Sequence, residues 1–355
     1  MDKYILDTVC KQEYSALSKS RSDIYDVLAQ EGFKKISIVL GTNKKRLLHE
    51  THSIRMQLSD NLSKVAEDSV VVMQYPWPTM SYSFSLILKR LKKKKKIKTI
   101  CYVHDLNSIR TNSILTKIYY DLYVKELRFL KDFDIVICHN DKMKEYLEKC
   151  GIESHTLVSL EIFDYLIAED MMKCKDSCDY KTVSVAGNLL PEKAGYIYRF
   201  SELNNRDYNI CLYGSGWKGN TFDNVCYKGT FPPEKLPVYI YYGFGLIWDG
   251  PSMLTCEGNF GEYLKLNNPH KMSLYMACGV PVFVWNQSAI SQFVEQEQVG
   301  ICISSLTEID ELMRNMSTEE YTVLKENAMH IQKKVRSGYY TSISISKALK
   351  ILEEK

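Results

Sequence analysis

The chain has 355 residues, more than one ordinary hydrophobic core holds, so we expect two domains. A composition of 45% hydrophobic, 12% aromatic and 25% charged residues is typical of globular proteins and excludes a largely disordered chain. The 46 Lys and Arg against 43 Asp and Glu leave a formal net charge of +3, which is too balanced to indicate a nucleic-acid partner.

The first half of the chain alternates short apolar segments with helix-like ones, the pattern of a parallel sheet built from βαβ units. A helix is predicted over residues 20–31, with Ser20 as its N-cap and Gly32 at its end. Strands are predicted at residues 4–8, 35–40, 70–74, 99–103, 134–138 and 155–160. Residues 1–170 are therefore expected to form a doubly wound, Rossmann-like N-terminal domain.

The second half repeats this alternation after a polar segment at residues 169–181. Strands are predicted at residues 182–186, 210–213, 244–248, 280–285 and 300–303. We expect a second Rossmann-like α/β domain over residues 171–340 and a ligand cleft between the carboxyl edges of the two sheets. A last helix, within residues 341–355, is expected to pack back on the first domain.

Basic residues are concentrated in one segment, where eight of the ten residues from Lys89 to Lys98 are Lys or Arg. Such a patch could contact anionic lipid headgroups, or it could be a solvated helix end. No apolar run approaches the roughly 18 to 20 residues of a membrane span, and the N-terminus lacks the apolar core of a signal peptide. We expect a cytoplasmic protein, peripheral at the inner face of the membrane if the patch binds lipid.

The cysteine pattern favours free thiols, because the 11 cysteines are odd in number and several lie in predicted strands. Cys174 and Cys178 have no second Cys or His pair at a zinc-like spacing. The segment Asp132-Phe133-Asp134 has two carboxylates at a spacing that could bind a metal ion, but it opens a predicted strand and is more typical of a turn. We expect no bound metal.

The segment Asn268-Pro269-His270-Lys271 predicts a helix start, with Asn268 as the N-cap and Pro269 in the first helical position. Lys271 then lies in the first turn, where a cation is unfavourable unless an anion binds there too. An ordinary capped helix with an exposed lysine would show the same spacing. Without further evidence the two interpretations are equally good.

Two more predicted strands end in glycine, which lets a backbone approach a ligand where a Cβ would clash. One is followed by Gly187 and Asn188, and the other by the segment Tyr213-Gly214-Ser215-Gly216. Either could be only a tight turn. Together with the helix start at Lys271, they indicate three places at one edge of the sheet where a ligand could bind.

Three segments of the second half resemble a family of bacterial GT-B glycosyltransferases. The family includes the glucosyltransferases that extend GlcNAc on serine-rich adhesins and the galactofuranosyltransferases of surface polysaccharides. The resemblance is strongest over residues 182–312, and the first half is similar mainly in organisation. The three segments are residues 245–250, 261–271 and 277–282, and the most specific part is the block from Asn267 to Lys271.

The resemblance implies a UDP-sugar donor, which is a substrate, bound mainly by the C-terminal domain (171–340) without a metal. It also implies that the N-terminal domain (1–170) binds the acceptor and that no cofactor is needed. It implies that Gly187, Asn188, Asn267, Asn268 and Lys271 lie near the diphosphate, and Tyr213, Gly214, Ser215 and Gly216 near the nucleoside. A lysine at a helix start can also stabilise the charge that develops on the departing UDP. Lys271 is therefore expected to act in catalysis as well as in binding.

Candidate acceptor-side residues follow strands of the first half. Inverting transfer, which we expect, needs a base to deprotonate the acceptor hydroxyl, and His104 with Asp105 is a credible pair at a strand end. Tyr75 and Trp77 could stack on an acceptor sugar, or their loop could equally be core packing at a rigid turn. On the donor side, Asp249 and Tyr263 are candidates to bind sugar hydroxyls.

The sequence as a whole favours a hexosyltransferase that moves glucose or galactofuranose from UDP to a glycan, glycolipid or glycoprotein in surface polysaccharide or glycoprotein synthesis. One alternative is a UDP-sugar epimerase on the same fold, which would need acid and base carboxylates around the sugar. Another is a non-catalytic partner of a second transferase. A homo-oligomer is left open.

Overall fold

A computed structural model describes residues 1–9, 16–39, 56–76, 82–110, 125–168, 180–203, 207–220 and 224–354. The chain divides into two compact units. The first comprises Met1–Tyr14, Arg21–Leu160 and Thr341–Lys355, and the second comprises Ser15–Ser20 and Glu161–Tyr340. Each unit is built on its own parallel sheet.

The first unit contains a six-stranded parallel sheet in the order β2-β1-β3-β4-β5-β6. Its strands are β1 (Lys3–Val9), β2 (Lys34–Val39), β3 (Val70–Tyr75), β4 (Lys98–Val103), β5 (Ile135–Cys138) and β6 (Leu157–Ser159). Helices lie at Ala16–Gln30, Tyr82–Lys95, Asn107–Arg110 and Asp141–Lys149, with a 3₁₀ turn at Ser154–Thr156 and further helical residues at 56–63 and 125–130. Every residue of β3 and β5 is buried, as expected for central strands covered on both faces.

The C-terminal helix, Tyr339–Glu353, belongs almost entirely to the first unit. The hydroxyl of Tyr102, on β4, lies 2.9 Å from Ser344 Oγ and donates to the carbonyl of Thr341 at 3.2 Å. Both contacts are buried, so they tie this helix to the middle of the sheet.

The second unit contains another six-stranded parallel sheet, in the order β12-β11-β10-β7-β8-β9. Its strands are β7 (Thr182–Ala186), β8 (Asn209–Tyr213), β9 (Val225–Gly229), β10 (Phe244–Ile247), β11 (Val282–Trp285) and β12 (Gly300–Ile303). Helices lie at Pro191–Ala194, Gly258–Tyr263, His270–Ala277, Ser291–Glu297, Glu308–Asn315 and Thr318–Ser337, with 3₁₀ segments at Gly195–Glu202 and Leu236–Val238. Parallel pairing brings the carboxyl ends of β10, β7 and β8 to one edge.

The strands predicted from sequence are present, with ends shifted by one or two residues. Strand β9 was not predicted, because this edge strand has only one fully buried residue and lacks a continuous apolar run. The predicted N-cap at Ser20 is wrong, since the helix already begins at Ala16 and Ser20 is buried inside it. Gly32 does end this helix, with a φ of 85°.

The cysteines within the described ranges are free thiols, as the sequence predicted. Cys101 and Cys138 are buried in strands, where burial raises the pKa of each thiol. They therefore pack as small hydrophobic side chains. None of the helices described is both long and apolar enough to cross a membrane.

Candidate donor-binding site

Two glycine turns touch each other at the carboxyl edge of the second sheet. Gly187 follows β7 with a φ of 135°, and Gly214 follows β8 with a φ of 149°. A Cβ on Gly214 would lie only 1.7 Å from the carbonyl oxygen of Gly187. Only glycine fits there, because the two backbones are in direct contact.

Backbone hydrogen bonds connect these two turns. Gly187 N donates to Tyr213 O at 2.9 Å, and Leu189 N donates to Ser215 O at 2.8 Å. The side chains of Asn188 and Ser215 are exposed, although Asn188 Oδ1 also accepts from Leu190 N at 2.9 Å. Tyr213 is buried.

Gly216 also occupies the left-handed region, with a φ of 88°, and a Cβ there would lie 2.7 Å from the side chain of Leu190. The glycines of this segment are therefore also required for close packing within the protein.

The helix that carries Lys271 begins one residue later than the sequence predicted. Its cap is Pro269, in an extended conformation, and the helix runs over His270–Ala277. Asn268 is not the N-cap, because its side-chain amide donates instead to the carbonyl of Glu161. Pro269 makes no side-chain hydrogen bond to the helix start, which leaves the first turn suited to an anion.

Lys271 is not an exposed lysine. Its Nζ donates to the carbonyl of Trp248 at 2.7 Å and lies 2.9 Å from Asp249 Oδ1. The side chains of Lys271 and Asp249 are 13% and 7% exposed, so this ion pair is largely shielded from water. It places the ammonium group directly beyond the end of β10.

A second lysine, which the sequence analysis missed, approaches the same carboxylate. Lys193 Nζ lies 3.9 Å from Asp249 Oδ2. Backbone hydrogen bonds hold its helix against the strand end, from Gly250 N to Lys193 O at 2.8 Å and from Tyr196 N to Gly250 O at 3.2 Å. Two cations thus share one carboxylate, which leaves a net positive charge. A lysine soon after a glycine-ended strand was the signal available in the sequence.

Tyr275 connects the same helix to the end of β7. Its hydroxyl donates to Ser184 O at 2.8 Å and accepts from Ala186 N at 3.0 Å. Its ring fills the space next to Gly245, where a Cβ would lie 2.3 Å from a ring carbon. Burial raises the pKa of the phenol well above its usual value, so the hydroxyl stays protonated.

Two residues at the start of this helix each carry a buried polar atom that lacks a hydrogen-bond partner within the described part of the chain. They are Asn267 Oδ1 and His270 Nε2. Burial, with a smaller contribution from Lys19, lowers the pKa of His270 to about 3, so the imidazole is neutral. Tyr263 is buried, and its carbonyl accepts from Asn267 N at 3.0 Å. His270 was not among the site residues predicted from sequence.

The candidate base His104 lies at the end of β4 in the first unit. Its Nε2 is 2.7 Å from Gln74 Oε1, and its backbone N–H donates to Tyr75 O at 2.7 Å. The neighbouring Asp105 forms an ion pair with Arg110. His104 is buried, so its ring is held in a fixed orientation.

His139, at the end of the adjacent strand β5, was not singled out by the sequence. Its ring hydrogen-bonds with the backbone of His104 and Val103, and burial lowers its pKa to about 4. Two histidines thus stand at neighbouring strand ends.

Tyr75 has no exposed surface in this structure. Its hydroxyl donates to Glu126 Oε1 at 2.6 Å, and its ring centroid lies 5.5 Å from that of Phe129. Asn107 N also donates to Glu126, at 2.9 Å, and burial raises the pKa of this carboxyl. Tyr75 therefore packs in the core of the first unit. Trp77 lies outside the described residues.

The two carboxylates of the Asp132-Phe133-Asp134 turn are paired with lysines. Lys89 Nζ lies 2.9 Å from Asp132 Oδ1, and Lys92 Nζ lies 2.8 Å from Asp134 Oδ1. Asp134 also accepts from the backbone N–H of Thr99 at 2.7 Å. The segment joins a helix to β5, as predicted. Within the described ranges, no group of three or more His, Cys, Asp and Glu residues could hold a metal ion.

Comparison with known proteins matches the two halves to two family models. Residues 2–162 match the glucosyltransferase 3-like N-terminal domain, and residues 183–348 match the glucosyltransferase 3-like C-terminal domain. The chain is 30% identical over 342 residues to the beta-1,6-galactofuranosyltransferase WbbI of Escherichia coli K12, with 95% of each chain covered. It is 24% identical over 332 residues to glucosyltransferase 3 of Streptococcus gordonii, covering 89% of this chain and 91% of that protein.

Solved structures show the same fold at low sequence identity. Sucrose-phosphate synthase from Thermosynechococcus elongatus superposes with a TM-score of 0.66 at 12% identity, covering 99% of each chain. WaaG, a glycosyltransferase involved in lipopolysaccharide biosynthesis, gives a TM-score of 0.57 at 12% identity, covering 96% of this chain and 99% of that one. The resemblance read from the sequence is thereby confirmed, and the chain belongs to the glucosyltransferase 3-like family of glycosyltransferases with the GT-B fold.

Proposed function

We propose that this enzyme transfers a hexose, glucose or galactofuranose, from a UDP-sugar to a glycan, glycolipid or glycoprotein acceptor in bacterial surface polysaccharide or glycoprotein synthesis. Relatives that transfer each of these two sugars support the choice. The observation that carries the proposal is the position of Lys271, in the first turn of a helix and beyond the end of β10.

The donor's diphosphate fits the charge at this edge. Lys271 and Lys193 face one carboxylate, Asp249, so an anion can share both cations while the helix start adds N–H donors. At the adjoining Gly187 turn an added Cβ would meet nothing within 4 Å, so a nucleotide has room to approach this backbone. We assign Asn188, Asn267 and Asn268 to the diphosphate side of the donor, and Tyr213, Ser215 and Gly216 to the nucleoside side. Asp249 and Tyr263 remain candidates for sugar hydroxyls.

Transfer is proposed to proceed without a metal. The departing UDP gains negative charge in the transition state, and Lys271 with the helix start can stabilise it by fixed charge and dipole. The carboxylates of Asp132 and Asp134, by contrast, are already engaged by lysines. Lys271 therefore stabilises the departing UDP as a bound metal ion does in transferases with a DxD motif.

On the acceptor side we propose inversion with His104 as the general base. Because the amide oxygen of Gln74 can only accept, His104 Nε2 carries the proton of the neutral ring, and Nδ1 is the basic nitrogen. Asp105 lies next to it in the chain and is held by Arg110. Trp77 stays a candidate for acceptor stacking, whereas Tyr75 is buried at the end of β3 and is not proposed to contact a sugar.

One face of the basic helix is proposed to contact anionic lipid. Lys89 and Lys92 are paired with aspartates, and Lys95 donates to the carbonyls of Ser63 and Val65, so these cations serve the fold. The exposed residues Arg90, Lys93 and Lys94 lie at the four- and three-residue spacings of one helix face, together with half-exposed Leu86. This face fits a bilayer that presents acidic headgroups to a peripheral enzyme.

The test is an assay of the purified protein with UDP-glucose, UDP-galactofuranose and other UDP-sugars, with glycan and lipid-linked acceptors, in EDTA and in Mg²⁺. UDP release and product mass are followed. An acceptor-linked hexose formed equally with and without EDTA supports the proposal. A changed UDP-sugar without acceptor product would indicate an epimerase, and nucleotide binding without turnover would indicate a non-catalytic partner.

A further inference from the structure

One buried carboxylate of the first unit has no part in the chemistry proposed so far. Glu126 is only 1% exposed and lies in the helical residues 125–130 that precede β5. Burial raises the pKa of its carboxyl, and hydrogen bonds from Ser108, Tyr75 and Asn107 act against that rise. A carboxylate is costly to bury unless donors surround it, so these donors indicate that the surrounding structure is arranged around its two oxygens.

The two oxygens of Glu126 bind residues at the ends of two neighbouring strands. Oε1 accepts from the Tyr75 hydroxyl at 2.6 Å and from Asn107 N at 2.9 Å. Oε2 accepts from Ser108 N at 3.2 Å and from the Ser108 hydroxyl. Tyr75 is the last residue of β3, and Asn107 and Ser108 begin the short helix that follows β4. One side chain thus joins the carboxyl ends of β3 and β4.

The proposed general base lies in the segment that Glu126 holds, residues 104–110, which we call the base segment. At its start, His104 N donates to the last carbonyl of β3 at 2.7 Å. At its end, Arg110 pairs with Asp105, the neighbour of His104. Glu126 binds the two backbone N–H groups between these points. The carboxylate therefore anchors the short helix whose last residue holds Asp105.

We propose that Glu126 is a positioning residue, which keeps His104 and Asp105 in the geometry that deprotonation of the acceptor hydroxyl needs. The inference rests on the proposed role of His104 as the base. A reacting group has to be held within about 0.5 Å of its productive position by the residues behind it. Glu126 does this through the backbone of the base segment and does not itself touch the acceptor.

Glu126→Gln keeps the size of the side chain and removes one of its two acceptor oxygens. Asn107 N and Ser108 N can only donate, and each faces a different oxygen of the carboxylate. Whichever way the amide is turned, its NH₂ group faces one of these N–H groups. One backbone hydrogen bond is therefore lost, and the base segment loosens while the apolar packing around it stays.

Hydrogen exchange followed by mass spectrometry tests the positioning without any substrate. In Glu126→Gln the amides of the base segment should exchange at least about tenfold faster, and those of β5 should not change. Asp134→Asn is the matched control, because this carboxylate also accepts from a backbone N–H and a hydroxyl, both of Thr99, at the opposite end of β4. It should leave the base segment unchanged. Equal exchange of the base segment in Glu126→Gln and wild type would overturn the inference.

A double-mutant cycle tests whether Glu126 acts through His104. Turnover is measured as UDP release from UDP-glucose and UDP-galactofuranose in the assay described above. Glu126→Gln should lower kcat at least about tenfold, while the Kd for UDP stays within about twofold. In a His104→Gln background the same substitution should lower kcat less than about threefold, because the group that it positions is already absent.

The outcomes separate this inference from the function on which it rests. An equal loss of kcat in both backgrounds would overturn the inference, since Glu126 would then serve only the stability of the fold. Full activity of His104→Gln would overturn the base assignment and the inference with it. A wild-type protein that turns over no UDP-sugar would overturn the proposed function, whereas the exchange measurement would still show whether Glu126 holds the base segment.

Discussion

Lys271 Nζ and Asp249 Oδ1 lie 2.9 Å apart at the end of β10, and the carbonyl of Trp248 accepts from the same ammonium at 2.7 Å. The lysine is thus held in place before any ligand arrives, and its orientational entropy is already lost. In the proposed complex the diphosphate shares Lys271 with Asp249, and Lys193 supplies the second positive charge. Donor affinity therefore depends on the balance among three side chains.

Replacing Lys271 by alanine should raise the Kd for UDP at least tenfold. The lost charge-assisted contact is worth about 1.5 to 3 kcal/mol, and Asp249 would then face the phosphates with one counter-charge fewer. Calorimetric titration with UDP measures the effect. Lys265→Ala is the control, because this lysine pairs with Glu262 at the surface, and its UDP affinity should stay within about twofold. Equal affinities for Lys271→Ala and wild type would refute the placement of the diphosphate.

Asp249→Asn should make the free protein less stable and its UDP complex relatively more stable. Removing one partner of a shielded ion pair leaves Lys271 without its counter-ion, at a cost of about 3 kcal/mol. Bound UDP would replace the missing negative charge. We expect a lower Kd for UDP and a larger UDP-induced rise in Tm than in the wild type.

Thermal melts with and without UDP compare Asp249→Asn with Glu262→Gln, an exposed carboxylate of the same unit. Weaker UDP binding by Asp249→Asn would show instead that the carboxylate is needed to aim Lys271 at the ligand.

Tyr275→Phe should lower the free energy of unfolding by about 1 to 3 kcal/mol. The lost hydroxyl would leave Ser184 O and Ala186 N without their bonds at 2.8 and 3.0 Å in a buried setting. Urea unfolding measures the change. Tyr339→Phe, whose ring is 43% exposed, should change stability by less than about 0.5 kcal/mol. Similar effects of both substitutions would contradict the bridging role of Tyr275.

The strands could be predicted because a central parallel strand is apolar on both faces, and this pattern is local. Strand β9 could not, since only one of its residues is fully buried, and its pairing with β8 depends on the rest of the sheet. The N-caps were predicted wrongly for a related reason. Asn268 favours the N-cap position locally, but the carbonyl of Glu161, far away in sequence, takes its amide.

The candidate site was predictable only in part. Lys271 and the glycine turns stood out because helix starts and left-handed turns have local signatures. Lys193 and His139 did not, because each becomes notable only beside a distant residue, Asp249 for the first and the backbone of His104 for the second. The lack of a hydrogen-bond partner for His270 Nε2 in the described part of the chain likewise results from packing, which no spacing in the sequence reveals.

His139 should make the first unit sensitive to acid. Its folded pKa of about 4 lies below the usual value of 6.5, so the unfolded chain binds the proton more readily. The stability contribution is complete above about pH 6.5 and is lost as the pH falls towards 4. At pH 5 the loss is about 2 kcal/mol relative to pH 7. Urea unfolding of wild type and His139→Gln at both pH values isolates this contribution, and an equal pH dependence of the two would contradict it.

Reversing the charge of Arg90, Lys93 and Lys94 to glutamate should abolish binding to acidic membranes without unfolding the protein. The three residues are exposed, whereas the neighbouring lysines 89, 92 and 95 hold the fold through aspartates and carbonyls. Each cation near an anionic surface contributes about 1 kcal/mol, so the partition coefficient should fall by at least roughly 100-fold. Co-sedimentation with phosphatidylglycerol vesicles measures it, with phosphatidylcholine vesicles as the neutral reference.

The control variant reverses three exposed lysines elsewhere in the first unit, Lys131, Lys142 and Lys149, and so changes the net charge equally. If attraction were a matter of net charge alone, both triple variants would lose binding to the same extent. A selective loss in the Arg90, Lys93 and Lys94 variant, with activity on a water-soluble acceptor retained, would assign the contact to this helix face. Retained vesicle binding by that variant would mean that the basic segment only stabilises the fold and its solvated end.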